Sequence, residues 1–269
     1  MTPDARSLAV EISGRASSLS VLHRRAGPDL VLWVHGLGAA KGCFDGAWDC
    51  ADLDGLSLLA PDLPGHGASP APPGFSGGME DLATALAAAL AQQSFERLHI
   101  VAHSMGGAPA LLLAELLGPR LASFTNVEGN LVAEDCGILS RRTAGMPLAR
   151  FRDEKFSRLV AAAARSDDPS MRRWATWATH CDPQAFHQAC VSVVRWSDSG
   201  RLLETFLNLA IPTLYVCGAR SAIPAVLERL HDVPTIELPD TGHDVMNERP
   251  ELFYPRVAEL IRSCGRRGG

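Results

Sequence analysis

A serine, a glutamate and a histidine stand in three apolar stretches that are far apart in the sequence. Ser104 lies in IVAHSMGG, Glu128 ends the run LASFTNVE, and His243 lies in LPDTGHDV. A site for nucleophilic acyl transfer needs these three groups, because an imidazole takes the hydroxyl proton and a carboxylate holds the imidazole. A carboxylate at the end of an apolar strand also loses hydration, which is costly unless a partner compensates. The question is whether the fold brings the three side chains together.

Ser104 stands where an apolar strand pattern passes into an apolar helix pattern. Ala102 and Gly106 lie two positions on either side, and small residues there let the strand and helix backbones approach closely. Such a turn lifts the hydroxyl above the strand end and points the helix N-terminus at it. The motif has the form Ala-x-Ser-x-Gly, with alanine in place of the first glycine. Ser104 as a simple helix cap is the alternative, and we predict that it is a nucleophile.

The loop HGLG follows the apolar strand pattern DLVLWV and predicts an oxyanion site. Acyl transfer passes through a tetrahedral intermediate whose negative oxygen needs two hydrogen-bond donors. This loop and the residue after the nucleophile can each supply a backbone N–H, so we predict that Leu37 and Met105 are the donors. A plain glycine turn is the alternative interpretation of HGLG.

His243 directly follows the last predicted strand, which favours it as the base among nine histidines. His103 adjoins the nucleophile, and side chains of neighbouring residues point apart, so His103 is not expected to take the proton. It is expected in the pocket instead. The residues that we predict around the pocket are Gly36, His103, Phe44, Trp48, Trp174 and Trp177.

Strand patterns alternate with helix patterns over most of the chain, which predicts an α/β fold. The predicted strands are SLAVEIS, SLSVLHR, 29–36, 57–62, 96–104, 121–129, 212–218 and TIELPD. The predicted helices of this part are 79–93, 105–118, a segment around 222–231, and NERPELFYPRVAELIRS. The prediction is a mostly parallel eight-stranded sheet with helices on both faces.

The alternation stops between residues 133 and 207, where only helix patterns occur. We therefore predict a core domain of residues 1–132 and 208–269, and an inserted helical cap of residues 133–207. Seven aromatic residues of this insertion indicate that it buries a face of its own on the core.

The composition of the chain argues against some classes of binding partner. The chain has 269 residues, a formal charge of -5 and seven cysteines without a CxxC pair. No long run of one charge sign occurs, which argues against a nucleic-acid partner or a polybasic membrane anchor. The start lacks a signal-peptide pattern, and the odd cysteine count is typical of free thiols, so a cytoplasmic location is expected. No motif predicts a metal or a cofactor, and the oligomeric state is left open.

The order of strands, HGLG, PDLPGHGAS, AHSMGG, the insertion and TGHD together resemble the α/β-hydrolase superfamily over nearly the whole chain. In most members the acid follows the seventh strand, but the matching stretch CGARSAIP has Ser221 there. Haloalkane dehalogenases and zearalenone-type lactonases place the acid after the sixth strand, where Glu128 stands. The resemblance therefore implies that Glu128 is the triad acid. A structural carboxylate that binds N–H groups at the entry of the insertion, near Asn130, is the alternative.

A serine nucleophile separates the chain from the dehalogenases and epoxide hydrolases that it resembles, because those enzymes attack with aspartate. The resemblance implies a serine hydrolase that cleaves a carboxylic ester or lactone through an acyl-enzyme on Ser104. The aromatic residues of the insertion, with Phe44 and Trp48, indicate a small-molecule substrate of moderate size and apolar character. Thioester hydrolysis, acyl transfer and carbon–carbon bond hydrolysis are the alternatives within catalysis. From another class, the protein could be a small-molecule receptor that uses a hydrolase pocket.

Overall fold

An eight-stranded sheet forms the centre of the protein. The computed structural model describes residues 3–265, except the side chain of Pro119. The strands are β1 (Asp4–Ile12), β2 (Arg15–Arg24), β3 (Asp29–Val34), β4 (Ser57–Pro61), β5 (Arg97–His103), β6 (Leu121–Val127), β7 (Thr213–Gly218) and β8 (Thr235–Leu238). Their order across the sheet is β1-β2-β4-β3-β5-β6-β7-β8. This confirms the predicted number of strands and the fold class.

The first two strands form an antiparallel hairpin, and β2 joins β4 in antiparallel orientation. From β4 to β8, all neighbouring strands are parallel. The carboxyl ends of these parallel strands lie at one edge of the sheet, which is where open α/β folds place their ligands. Ser104, Glu128 and Ser221 follow β5, β6 and β7 at this edge.

Helices cover both faces of the sheet, and the central strands β3 to β6 are therefore buried along almost their whole length. Leu32 and Ile100 point to one face, where they pack with residues of α2 (Met79–Leu90) and α3 (Gly107–Leu117). Trp33 and Val101 point to the opposite face. The helices of that face are α1 (Gly46–Asp49), α11 (Val245–Glu248) and α12 (Pro250–Gly265).

The chain between β6 and β7 is helical, and we refer to residues 133–207 as the helical segment. It contains α4 (Ile138–Ala144), α5 (Leu148–Arg150), a π-helical turn (Phe151–Lys155), α6 (Phe156–Ala164), α7 (Pro169–Ala178), α8 (Pro183–Asp198) and α9 (Arg201–Leu207). One short helix, α10 (Pro224–Arg229), lies between β7 and β8. All residues of the helical segment are described, and none of them forms a strand. Its assignment as a separate cap domain stays a prediction.

The helical segment has its own small apolar cluster. Phe151, Phe156 and Phe186 pack with ring centroids 5.4 to 5.7 Å apart. Leu37, in the loop after β3, packs against both this cluster and the main core. The cluster therefore lies over the predicted oxyanion loop. In the described part of the chain, no helix is long and apolar enough to cross a membrane.

Candidate active site

Ser104 occupies a strained turn directly after β5. Its φ is +54°, in the left-handed region that residues other than glycine seldom adopt. A Cβ added at Gly106 would lie 2.4 Å from the carbonyl oxygen of His35 and 2.8 Å from that of Val34. Only glycine permits this close approach, as the small residues around Ser104 predicted. The turn leaves Ser104 partly exposed at the carboxyl edge of the sheet.

Glu128 lies at the next strand end and contacts His243. Its Oε2 is 2.7 Å from Nδ1 of His243, a hydrogen bond between residues 115 positions apart. The φ of Glu128 is also positive, at +46°, and only 8% of its side chain is exposed. Strained backbone of this kind clusters at functional sites. The structure thus places the carboxylate against the imidazole that the sequence analysis assigned to it.

His243 also packs against the residue that precedes Ser104. The rings of His103 and His243 have centroids 4.7 Å apart, and Nε2 of His103 lies 2.9 Å from the backbone oxygen of His243. These contacts bring the imidazole next to the turn at Ser104. Within residues 3–265 the Ser104 hydroxyl makes no hydrogen bond. Contacts between nucleophile and base are often long without substrate.

The charges at the site follow from these contacts. Desolvation lowers the pKa of His243, but the hydrogen bond and negative charge of Glu128 outweigh it, so the pKa is raised above its ordinary value. Desolvation likewise raises the pKa of Glu128, and the bond to His243 reverses this, so the pKa is lowered. Burial lowers the pKa of His103 to about 3, which keeps its ring neutral. An ionised carboxylate therefore faces the imidazole at neutral pH.

The predicted oxyanion loop lies directly against the serine. A Cβ added at Gly36 would lie 2.9 Å from the Cβ of Ser104. In the described residues, the N–H of Leu37 has no hydrogen-bond acceptor, as an oxyanion donor requires. The indole Nε1 of Trp174, in α7, donates to the carbonyl oxygen of Leu37 at 2.8 Å. Met105, the other predicted donor, follows Ser104 in the same short helical turn.

Three of the predicted pocket residues lie away from Ser104. Phe44 is fully buried and Trp48 is 8% exposed, and both pack with Trp33 and α12 beneath the opposite face of the sheet. The reason is that the chain after the oxyanion loop turns back onto α12, so these rings fill the core. Trp177 lines a cavity of about 320 Å³ with Lys41 and Asp62, and neither Ser104 nor His243 lines it. These placements correct the pocket prediction for the three residues, whereas Trp174 does contact the oxyanion loop.

Sequence reasoning missed the groups that hold Glu128 and the histidine loop, which is the segment 239–244 between β8 and α11 that carries His243. The hydroxyl of Ser221 and the N–H of Gly218 both donate to Oε1 of Glu128. Glu248, at the end of α11, accepts from the N–H of Gly242 in the histidine loop and pairs with Arg220. Ser170, in α7, also donates to Glu248, at 3.3 Å. The only signal in the sequence was the serine at the position where the superfamily usually has its acid.

The alternative role proposed for Glu128, as a carboxylate that binds the entry of the helical segment, belongs to Asp135. Its Oδ2 accepts from the N–H groups of Leu131 and Val132 at 2.7 and 3.1 Å. Burial raises the pKa of Asp135 to about 6. Glu128 is thus free of that structural task.

Solved structures of several hydrolases resemble the whole fold. An N-acyl homoserine lactonase, AidH, has a TM-score of 0.77 at 18% identity, covering 98% of each chain. A thermophilic esterase from Thermogutta terrifontis has a TM-score of 0.73 at 21% identity, again covering 98% of each chain. The enol-lactonase from Burkholderia xenovorans LB400 has a TM-score of 0.76 at 19% identity, covering 95% of this chain and 100% of that one. At these identities the likeness establishes the fold.

Two comparisons rest on the sequence. The 2-succinyl-6-hydroxy-2,4-cyclohexadiene-1-carboxylate synthase of Salmonella paratyphi B is 25% identical over 227 residues, which are 77% of this chain and 84% of that protein. The profile of the Alpha/beta hydrolase family matches residues 31–256, from β3 into the last helix. That match includes the turn at Ser104, the end of β6 and the histidine loop. The chain therefore belongs to the alpha/beta hydrolase family.

Proposed function

We propose that the protein is a serine hydrolase that cleaves a carboxylic ester or lactone through an acyl-enzyme on Ser104. The observation that carries the proposal is the 2.7 Å contact between Glu128 and His243, beside a serine at φ +54°. The esterase and lactonase activities named for proteins of the same fold agree with it. All the groups that the reaction needs come from the chain itself, so the proposed mechanism requires no metal or cofactor.

In the first step, the hydroxyl oxygen of Ser104 attacks the substrate carbonyl carbon while Nε2 of His243 takes the hydroxyl proton. Glu128 stabilises the imidazolium that forms and keeps the Nδ1 proton directed towards itself. The negative oxygen of the tetrahedral intermediate accepts hydrogen bonds from the N–H groups of Leu37 and Met105.

In the second step, the bond between the carbonyl carbon and the leaving oxygen breaks, and the imidazolium gives its proton to that oxygen. An ester releases its alcohol, whereas a lactone keeps the alcohol on the acyl group bound to Ser104. Water then attacks the acyl-enzyme, His243 takes the water proton, and the proton passes to Ser104 as the acid leaves. The enzyme returns to its starting state.

The surroundings of the site favour an apolar acyl group. Leu37 packs against the aromatic cluster of the helical segment, and Trp174 lies between that cluster and the oxyanion loop. An acyl chain bound to Ser104 would replace water next to these side chains, which is favourable for apolar surface. We therefore expect small or medium apolar acyl groups to react fastest.

Carbon–carbon bond hydrolysis is a second candidate, kept because a relative by sequence is named as a synthase and not as an esterase. Both candidates use His243 as a base. They differ in the leaving atom, which is oxygen in ester or lactone hydrolysis and carbon in carbon–carbon bond hydrolysis, and serine attack can form an acyl-enzyme in both. Mass spectrometry of the products distinguishes them: an acid and an alcohol from an ester, or a hydroxy acid from a lactone, supports the ester or lactone hydrolase, whereas cleavage of a diketone alone supports the second candidate.

The direct test is labelling with a fluorophosphonate probe, followed by a panel of esters, lactones and thioesters. We expect the wild type to be labelled and to turn over at least one ester or lactone, with no loss of activity in EDTA. Ser104→Ala should fold but neither label nor turn over. Retained wild-type turnover by Ser104→Ala would show that the nucleophile is wrong. Labelling without turnover of any acyl substrate, together with ligand-dependent partner binding, would favour a receptor.

A further inference from the structure

The two oxygens of the Glu128 carboxylate have different partners. Oε1 accepts from the Ser221 hydroxyl at 2.6 Å and from the Gly218 N–H at 2.8 Å, whereas Oε2 faces Nδ1 of His243 at 2.7 Å. The carboxylate is nearly buried, so water does not supply these bonds. Three donors therefore determine how it lies.

The Ser221 hydroxyl has one proton to donate and two acceptors nearby. Glu128 Oε1 lies at 2.6 Å and the carbonyl oxygen of Gly218 at 3.3 Å. The shorter contact goes to an ionised group, which forms the stronger hydrogen bond. The proton of Ser221 is thus directed to the carboxylate.

We infer that Ser221 is a positioning residue of the proposed triad, which stops the Glu128 carboxylate from turning so that Oε2 stays on Nδ1 of His243. This inference rests on the proposed function. With Gly218 alone as a donor, Oε1 would have one fixed contact, and the carboxylate could pivot around it. A second donor from another direction removes that freedom. A hydroxyl therefore supports the acid from the position where most members of the superfamily have the acid itself.

The test is Ser221→Ala, measured as kcat, KM and the pH profile of kcat/KM. Loosening the carboxylate weakens its hold on the imidazolium, so the acidic limb should move to lower pH, towards the ordinary His pKa of 6.5. We expect kcat to fall about threefold to tenfold with little change in KM, because the effect acts on the transition state. Ser221→Thr keeps the hydroxyl and should restore both values.

Ser263→Ala is the matched control, because it removes a half-buried hydroxyl that donates to a carbonyl oxygen in the last helix. It should leave kcat and the limb unchanged. A folded fraction that is constant with pH does not move the limb, and melting curves recorded across the same pH range check that Ser221→Ala stays folded there.

An unmoved limb in Ser221→Ala would overturn the positioning role, since a purely structural hydroxyl affects stability alone. A shift of the limb to higher pH would overturn it too. Such a shift would mean that the hydrogen bond from Ser221 only weakens the attraction between the Glu128 carboxylate and the imidazolium. These outcomes leave the proposed function intact if Ser104→Ala is inactive. An active Ser104→Ala would refute the proposed function itself.

Discussion

Glu128→Gln should lower kcat by more than the loss of one negative charge alone would. The Gly218 N–H can only donate a hydrogen bond and cannot accept one. In the glutamine variant it will therefore hold the amide oxygen in the place of Oε1. The amide NH₂ then takes the place of Oε2, which is 2.7 Å from Nδ1 of His243. Nδ1 must accept that hydrogen, and the neutral ring then carries its proton on Nε2. Nε2 is the atom that has to accept the proton of Ser104.

The expected loss in kcat follows from this tautomer of His243, in which the proton lies on Nε2. In a serine protease triad the equivalent acid-to-amide change lowers kcat about 10⁴-fold. Half of the His243 side chain is exposed, at 52%, so water replaces part of the lost charge. We therefore expect a loss in kcat of about 10²-fold to 10⁴-fold, with the fold retained.

Glu128→Ala provides the comparison that isolates the tautomer. It also removes the charge, but it leaves no NH₂ group at Nδ1, so the ring can still place its proton there. We expect Glu128→Ala to be at least about threefold more active than Glu128→Gln, although alanine is the larger truncation. The assay is kcat of both variants with the best ester, with melting curves as a check of folding.

Glu128→Gln with near wild-type turnover would refute the assignment of Glu128 as the triad acid. Glu128→Gln more active than Glu128→Ala would instead refute the hydrogen-bond argument, because the amide would then be serving as an adequate substitute. A double variant, Glu128→Ala with Ser221→Asp, tests the geometry further. Because Ser221 Oγ is 2.6 Å from the carboxylate, we expect the new acid to recover part of the activity of Glu128→Ala.

Three further predictions concern the same site. Activity should rise with pH through a limb above the ordinary His pKa of 6.5, because the raised pKa of His243 belongs to the base and only its neutral form accepts a proton; a limb below 6.5 in a pH–rate profile would contradict the contact with Glu128. Stability should depend on pH as well. The lowered pKa of Glu128 contributes stability that is present above 4.5 and lost as pH falls, and the raised pKa of His243 contributes stability that is present below 6.5 and lost as pH rises. The difference in melting temperature between wild type and Glu128→Gln should therefore be largest between pH 4.5 and 6.5. A difference that is constant with pH would argue against a charged pair of Glu128 and His243. Trp174→Phe removes the indole donor to Leu37 but keeps a ring, so kcat should fall about threefold to thirtyfold, less than for loss of an oxyanion donor itself; an unchanged kcat would show that the loop holds its shape alone.

Much of the fold was predictable because the central strands are buried on both sides. A strand such as β5 must then be apolar at successive positions, and this is visible without knowledge of its neighbours. Element ends were less predictable. The predicted helix 79–93 ends at Leu90, because the residues after it form a turn instead of a further helical turn.

The site was predictable where a residue type is unusual for its surroundings. A carboxylate at the end of an apolar strand needs a partner, and Glu128 has one in His243. Phe44 and Trp48 failed this criterion, because an aromatic side chain suits a core as well as a pocket. The role of Ser221 depends on the pairing of β6 with β7, which brings two residues 93 positions apart into contact. No pattern within a short stretch of sequence indicates that β6 pairs with β7.

Helix α7 joins the two loops that flank Ser104. Trp174 donates a hydrogen bond to the carbonyl oxygen of Leu37 on one side. On the other side, Ser170 donates one to Glu248 of α11, which accepts from the N–H of Gly242 in the histidine loop. Displacement of α7 from the sheet would break both hydrogen bonds, so a conformation with α7 displaced would be in equilibrium with the assembled site. A ligand that binds more tightly to the assembled site must shift that equilibrium towards closure, by as much as its affinities for the two states differ. Residues of α7 that never touch a substrate would then influence selectivity through the free energy of closing.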